Sequence, residues 1–291
     1  MNQTTRWTRR QFLIASGGTA WAMNGCSRQS LSAPVSDYQK LVLAKNPVGY
    51  WRLGESQGTT AKDISGRGHQ GRYHGTPRLG QPGALHGDPD ASLGLDGKGS
   101  YLEIPAHPDF SQPTSGQGLT VEAWLRPEAL GFAGETTDPY VYWLGKGQPD
   151  ANEWALRFYS RTSPDRPNRI SAYLFNPEGG LGAGAYFQDK LKAGEWIHVV
   201  ACYEPGSAAT NREAGVHIYK NGEHRLGPPA PGTLYQNPKW QINPRAGAAP
   251  LRLGAYSLKS FLRGGLDEVA IYPRVLTTRE IQEHYRIGHG S

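Results

Sequence analysis

The side chains in this sequence that could do chemistry are carboxylates, histidines and aromatic rings set among glycine-rich stretches. Their spacing excludes several reactions. No Gly-x-Ser-x-Gly elbow presents a nucleophile, no His-Glu-x-x-His pair offers a zinc face, and no Gly-x-x-x-x-Gly-Lys loop cradles a phosphate. Gly66, Gly68 and Gly71 have a dinucleotide-loop spacing, but no helical period follows them. Asp267 and Glu268 are adjacent, so on a regular strand they point to opposite faces and do not form an acid/base pair. The nine histidines are dispersed, and His198 and His217 fall inside strand patterns as structural or surface residues. Cys26 and Cys202 are far apart, giving neither a disulfide framework nor a thiolate zinc site. Cys202, in the apolar run Val199-Val-Ala-Cys202, reads as a small core residue. The segment Asp63-Ile-Ser-Gly-Arg-Gly68 is different, because one carboxylate among turn carbonyls is the hard-oxygen chemistry that calcium takes.

The elements that would position such groups are strands. With 38 Gly, 22 Pro and 10% aromatic residues in 291, the composition suits short strands and tight turns. In Leu119-Thr-Val-Glu-Ala-Trp-Leu-Arg126 the residues Leu119, Val121, Ala123 and Leu125 alternate with Thr120, Glu122, Trp124 and Arg126, a strand with one inward face. Further strands are expected at Val48–Leu53, Gly99–Ile104, Tyr140–Lys146, Trp154–Tyr159, Arg169–Phe175, Glu195–Tyr203, Leu251–Gly254 and Gly265–Tyr272. Asn221-Gly222 supplies the two positive-φ residues of a type I′ hairpin between Val216 and Leu226. Helix is confined to a turn or two at Asp37–Ala44 and to a short C-terminal helix, whose start is a capping box of Thr277 and Glu280. Strands at this spacing bury two inner faces against each other, so the fold class is all-β, a two-sheet antiparallel sandwich or jelly roll.

The chain divides into a leader at 1–26, a linker at 27–36 and a β domain at 37–287. Arg9-Arg10 followed by Phe12-Leu13 and the apolar run Ile14–Met23 has the layout of a twin-arginine export leader. Two exits compete. Ala20-Trp21-Ala22 fits a cleavage site that frees a soluble product, whereas Met23-Asn24-Gly25-Cys26 resembles an imperfect lipobox that would acylate Cys26. Either places the domain outside the cytoplasm, in the periplasm, at the cell surface or beyond, with the membrane touched only through a lipid on Cys26. The net charge of +6 drops to +3 once the leader's Arg6, Arg9 and Arg10 are set aside. A surplus that small, without a clustered basic face, excludes nucleic acid as the partner.

Pro47-Val-Gly-Tyr-Trp-Arg-Leu-Gly-Glu55, Asp63-Ile-Ser-Gly-Arg-Gly-His-Gln-Gly71, Leu119-Thr-Val-Glu-Ala-Trp124, Glu195-Trp-Ile-His-Val-Val200, Ile218-Tyr-Lys-Asn-Gly-Glu223 and Gly265-Leu-Asp-Glu-Val-Ala-Ile-Tyr272 occur in that order. Together they resemble the laminin-G-like, concanavalin A-like lectin/glucanase jelly roll. The resemblance implies two curved antiparallel sheets that bind glycans or other proteins, often with a structural calcium. It brings Glu55 and Asp63 near Asp267, the expected cation ligands along with loop carbonyls. The fold's glucanases carry Glu-x-Asp-x-x-Glu on one strand, and this sequence has no such run. The expectation is therefore a non-catalytic module whose partner is a glycan or an extracellular or cell-surface protein. A sugar would stack on aromatic rings, with Trp240, Tyr142 and Trp143 as candidates, whereas Trp51, Trp124 and Trp196 are expected in the core. The competing expectation is a glycan-active enzyme that pairs Glu122 or Glu153 with a second acid, and a surface scaffold with no small ligand is a third.

Overall fold

A computed structural model describes residues 35–131, 139–148, 151–175, 182–205, 215–224, 233–234 and 246–291. The leader, Cys26 and Trp240 lie outside them. The chain begins with α1 (Asp37–Leu43), then β1 (Gly49–Trp51), β2 (Thr60–Ala61), β3 (Gly71–His74), β4 (Arg78–Pro82), β5 (Ala91–Asp96) and β6 (Tyr101–Ile104). After two 3₁₀ turns come β7 (Leu119–Pro127), β8 (Tyr140–Gln148), β9 (Ala151–Tyr159), β10 (Arg169–Leu174), β11 (Ala183–Lys190) and β12 (Ile197–Glu204). The last elements are β13 (Gly215–Lys220), β14 (Glu223–His224), β15 (Thr233–Leu234), β16 (Leu251–Leu253), β17 (Arg263–Tyr272) and α2 (Thr278–His289).

The strands form two antiparallel sheets, as the alternation predicts. The first runs β14-β13-β12-β7-β17-β5-β4, with β1 also paired to β17, and the second runs β15-β11-β10-β9-β8-β16-β6-β3-β2. Between them lies the main core, where Val121, Leu125 and Val199 of the first sheet meet Trp154, Leu156, Phe158 and Leu253 of the second. A small gap of about 30 Å³ is lined there by Leu119, Val121, Trp154, Leu156, Ala201 and Val216. A gap that small is ordinary for packed side chains.

The other face of the first sheet is covered too. Ser36 caps α1 by accepting the Gln39 N–H, and the Thr277/Glu280 box starts α2 as expected. Both helices lie over this face, where Tyr38, Val42 and Ile281 form a second apolar cluster with Trp124, Val200, Cys202 and Tyr272. The alternate residues of β7 that the pattern sets opposite the core are thus buried as well. Asn221 and Gly222 take φ values of 54° and 75°, the left-handed pair the hairpin requires.

Sequence patterning finds most strands and misses β2 to β5, β11 and β15. β4 contains Gly80 and Pro82, and β5 is broken by Gly94, so neither shows an apolar alternation. It also misplaces Trp143. Val141 and Trp143 alternate with the outward Tyr142 along β8, so Trp143 faces the core, where it is 0% exposed, and a register shift between Tyr142 and Leu144 turns Leu144 inward beside it. A residue so placed is not available to a ligand.

Gly288 marks how closely α2 sits on the sheet. A Cβ there would stand 2.5 Å from Cζ2 of Trp124 and 3.0 Å from Leu85 Cδ2. Gly288→Ala gains about 1 kcal/mol of helix propensity but overpacks the interface at a cost of about 1–3 kcal/mol. A lowered melting temperature is expected by calorimetry, and a raised one would show that α2 is loosely docked.

Candidate functional site

The outer face of the second sheet collects aromatic side chains. β8 contributes Tyr140 and Tyr142, β10 contributes Tyr173, and Phe175 and Tyr256 follow from adjoining loops. Their rings contact in series: Tyr140 and Tyr142 have centroids 5.9 Å apart, Tyr142 stacks on Tyr256 at 5.2 Å, Tyr256 on Phe175 at 5.6 Å, and Phe175 meets Tyr173 edge-on at 5.0 Å. Arg157 of β9, directly opposite Tyr142 and Ser171 in the ladders, lies in their midst. Its guanidinium carbon is 3.7 Å from the Tyr140 ring centre and 4.3 Å from that of Tyr173, and Nη1 donates to the Tyr142 hydroxyl at 3.3 Å. Only 4% of Arg157 is exposed, and its Nε–H has no hydrogen-bond partner. Cation–π contact replaces a carboxylate here. Of the three ring candidates read from sequence, Tyr142 belongs to this face, half-buried. Arg157, Tyr173 and Tyr256 were missed. The alternation of β9, with Trp154, Leu156 and Phe158 inward, already places Arg157 outside.

The carboxylates considered for catalysis are engaged elsewhere. Glu122 projects from β7 beneath the two helices and is 0% exposed. It accepts hydrogen bonds from Tyr38 Oη at 2.9 Å, Tyr272 Oη at 2.7 Å, His198 Nε2 at 2.7 Å and His284 Nδ1 at 2.9 Å. Burial alone would raise its pKa, but His284 and His198 hold it well below the ordinary carboxylate range. Glu153, also 0% exposed, pairs with the buried Lys146 and accepts the Gly247 N–H at 3.0 Å.

The three proposed cation ligands do not converge. Asp63 accepts the N–H groups of Tyr50, Ser65 and His69, an Asx-type clamp on its own loop. Glu55 accepts from Lys62 N and Tyr73 Oη, and Asp267 from Ala84 N and Glu268 N. Their donor atoms are not within 4.8 Å of one another, so they do not fit one calcium, which needs six to eight oxygens around it.

Asp267 instead joins a different group. A register shift between Asp267 and Ala270, with Glu268 at φ 50°, breaks the regular strand that would have sent the two carboxyls apart. Glu268 bonds the Tyr50 hydroxyl and pairs with Arg52, whose guanidinium also reaches Asp88 at 2.7 Å and Asp90 at 3.0 Å. Arg52 is the cation of this group. Burial pushes both Asp267 and Glu268 above the ordinary carboxylate range. The Glu268 charge adds to the shift at Asp267, and Arg52 partly opposes it at Glu268.

A family model described as the concanavalin A-like lectin/glucanases superfamily matches residues 96–282. The receptor-binding domain of botulinum neurotoxin type G is similar in structure, with a TM-score of 0.54 and 13% identity over 83% of this chain and 51% of that one. The binding domain of botulinum neurotoxin DC, solved with rat synaptotagmin II, gives 0.55 and 11% over 83% and 51%. The chain thus spans about half the length of those toxin domains. Domain 4 of an extracellular GH43 arabinanase from Geobacillus stearothermophilus, in complex with arabinotriose, gives 0.50 and 15% over 82% of this chain and 98% of that one. At these identities the likeness shows the fold alone. No curated protein matches by sequence.

Because its folded pKa is depressed, Glu122 contributes stability that is present above the unfolded value of 4.5 and lost as pH falls. Glu122→Gln should cost about 3 kcal/mol at neutral pH and flatten the acid side of the stability curve, measured by urea unfolding across pH. An unchanged acid slope would remove Glu122 from that role. For Asp267 and Glu268 the sign reverses, since a raised folded pKa gives stability that is lost as pH rises. Separately, calcium added to chelator-stripped protein should leave the melting temperature where it is, and a rise would mean that a calcium site forms.

Proposed function

The chain belongs to the concanavalin A-like lectin/glucanases superfamily, and from that premise we propose that it is a non-catalytic module that binds carbohydrate on the outer face of its second sheet. The observation that carries this reading is the set of half-buried rings, Tyr140, Tyr142 and Phe175, arranged around Arg157. Aromatic faces stack on the C–H faces of sugar rings and tyrosine hydroxyls donate to sugar hydroxyls, while the buried Arg157 guanidinium holds the rings in place from beneath. The arabinanase domain that is similar over nearly its whole length was solved with arabinotriose, and this supports a sugar as the ligand.

The lack of catalysis rests on the carboxylates. Glycoside hydrolysis needs two of them flanking one bond, about 5 to 9.5 Å apart. Glu122 is sealed under α1 and α2, Glu153 is tied to Lys146, and Glu103 is paired with Arg252 at 2.9 Å. The Arg9-Arg10 leader supports action outside the cytoplasm, with Cys26 as the point of a lipid anchor if the leader is processed there.

A glycan array on the purified protein tests this, followed by Tyr142→Ala on whichever sugar binds. The substitution should weaken binding about tenfold, roughly 1.4 kcal/mol, with little change in melting temperature. Undiminished affinity would move the site elsewhere. Release of new reducing ends would make the protein an enzyme, and silence on every glycan would favour a protein ligand, as in the neurotoxin domain solved with synaptotagmin II.

A further inference from the structure

We propose that His69, His107 and Asp109 form a binding site for a divalent transition-metal ion of the zinc class. The three side chains come from two loops far from the aromatic face in sequence, and their donor atoms all lie within 4.8 Å of one another. His69 Nε2 is 3.1 Å from Asp109 Oδ2, and His107 Nδ1 is 3.4 Å from the same oxygen. Ligands held about 2.0–2.1 Å from a tetrahedral zinc stand roughly 3.3–3.4 Å apart. Two edges of the tetrahedron are therefore already present.

The loops that carry these ligands are fixed from behind. Asp63 accepts the His69 N–H at 2.8 Å, and the His69 carbonyl accepts the Trp51 indole N–H at 2.8 Å. Phe110 packs edge-on against the His69 ring at 4.8 Å, and its own carbonyl accepts the Trp154 indole N–H at 2.8 Å. Both loops are thus anchored on core tryptophans, so little ordering cost remains for a ligand to meet. The cluster opens outward: the His69 side chain is 11% exposed, that of Asp109 31% and that of His107 46%, which leaves a side for water as the fourth ligand.

Two imidazole nitrogens and one carboxylate oxygen are a borderline donor set. It suits Zn²⁺, and also Ni²⁺ or Cu²⁺, and is too small and too nitrogen-rich for calcium. Without metal the cluster is hydrogen-bonded, with a proton shared between His69 and Asp109 and the Asp109 N–H donated to His107 Nδ1 at 3.2 Å. The ion replaces the first of these protons and takes the His107 lone pair from the second.

Chelator-stripped full-length protein titrated calorimetrically with zinc chloride should take up one equivalent and rise in melting temperature. Cobalt(II) should give the visible absorption of a tetrahedral site. His107→Ala and Asp109→Asn, both at partly exposed positions, should each weaken zinc by tenfold or more while leaving the metal-free melting temperature nearly unchanged. His217→Ala, which alters the separate His217/His224 ring pair, should bind zinc as the wild type does. The proposal is overturned if stripped protein takes up no zinc, if the His107→Ala/Asp109→Asn double variant retains wild-type affinity, or if binding is lost in His217→Ala alone.

Discussion

A carboxylate with no access to water holds this domain's outer layer in place. Glu122 stands on a central strand of the first sheet, and its four hydrogen-bond partners come from four different elements: Tyr38 from α1, His198 from β12, Tyr272 from β17 and His284 from α2. Taking a charge out of water costs several kcal/mol unless it is fully paired, and here the pairing is supplied by both helices at once. The helices bury Trp124, Val200 and Tyr272, so apolar burial supplies the driving force and the carboxylate fixes the position. Trp124 extends the same network, donating its indole N–H to the Tyr38 hydroxyl at 3.1 Å. An apolar residue at position 122 would bury as well, but it would not say where along the sheet α1 and α2 must lie.

Arg52 plays the matching part a short distance along β17. It gathers Asp88, Asp90 and Glu268, tying the loop before β5 to the bulge in β17. The packing is close enough to dictate its neighbours, for a Cβ at Gly54 would fall 2.1 Å from Asp90 Oδ1. With a guanidinium supplying the positive charge, a side chain cross-links this end of the sandwich. The two acid clusters respond to pH with opposite sign, so the folded state has no single protonation event on which it hinges.

Much of the fold was legible from local pattern. The alternation of Leu119 to Leu125, the Asn221-Gly222 turn and the Thr277/Glu280 box each encode their element within a few residues, and each appears as read. What escaped depends on departures from regularity. Alternation in β8 does not foresee the register shift that turns Leu144 inward beside Trp143, and a regular β17 would have separated Asp267 from Glu268. The functional face was half legible: Tyr142 could be nominated as a ring near a loop, whereas its relation to Arg157 and Tyr173 depends on the pairing of β8, β9 and β10. His69, His107 and Asp109 carry no motif at all, because what unites them is two loops folding over Trp51 and Phe110.

The place of β17 has a kinetic consequence. It is the last strand in the chain, yet it sits inside the first sheet, where β7 pairs with one edge and β5 and β1 share the other. Until residues 263–272 are available, β7 and β5 each have an unpaired edge, β1 has no partner, and Glu122 lacks the hydroxyl of Tyr272. Nearly every pairing that closes this sheet joins distant parts of the chain, an arrangement that makes folding slow and cooperative. A growing polypeptide would therefore carry an incomplete barrier to self-association, with strand edges exposed, until its closing segment arrives. The order of synthesis makes the domain dependent on residues 263–272, to a degree that their modest share of the sandwich does not suggest.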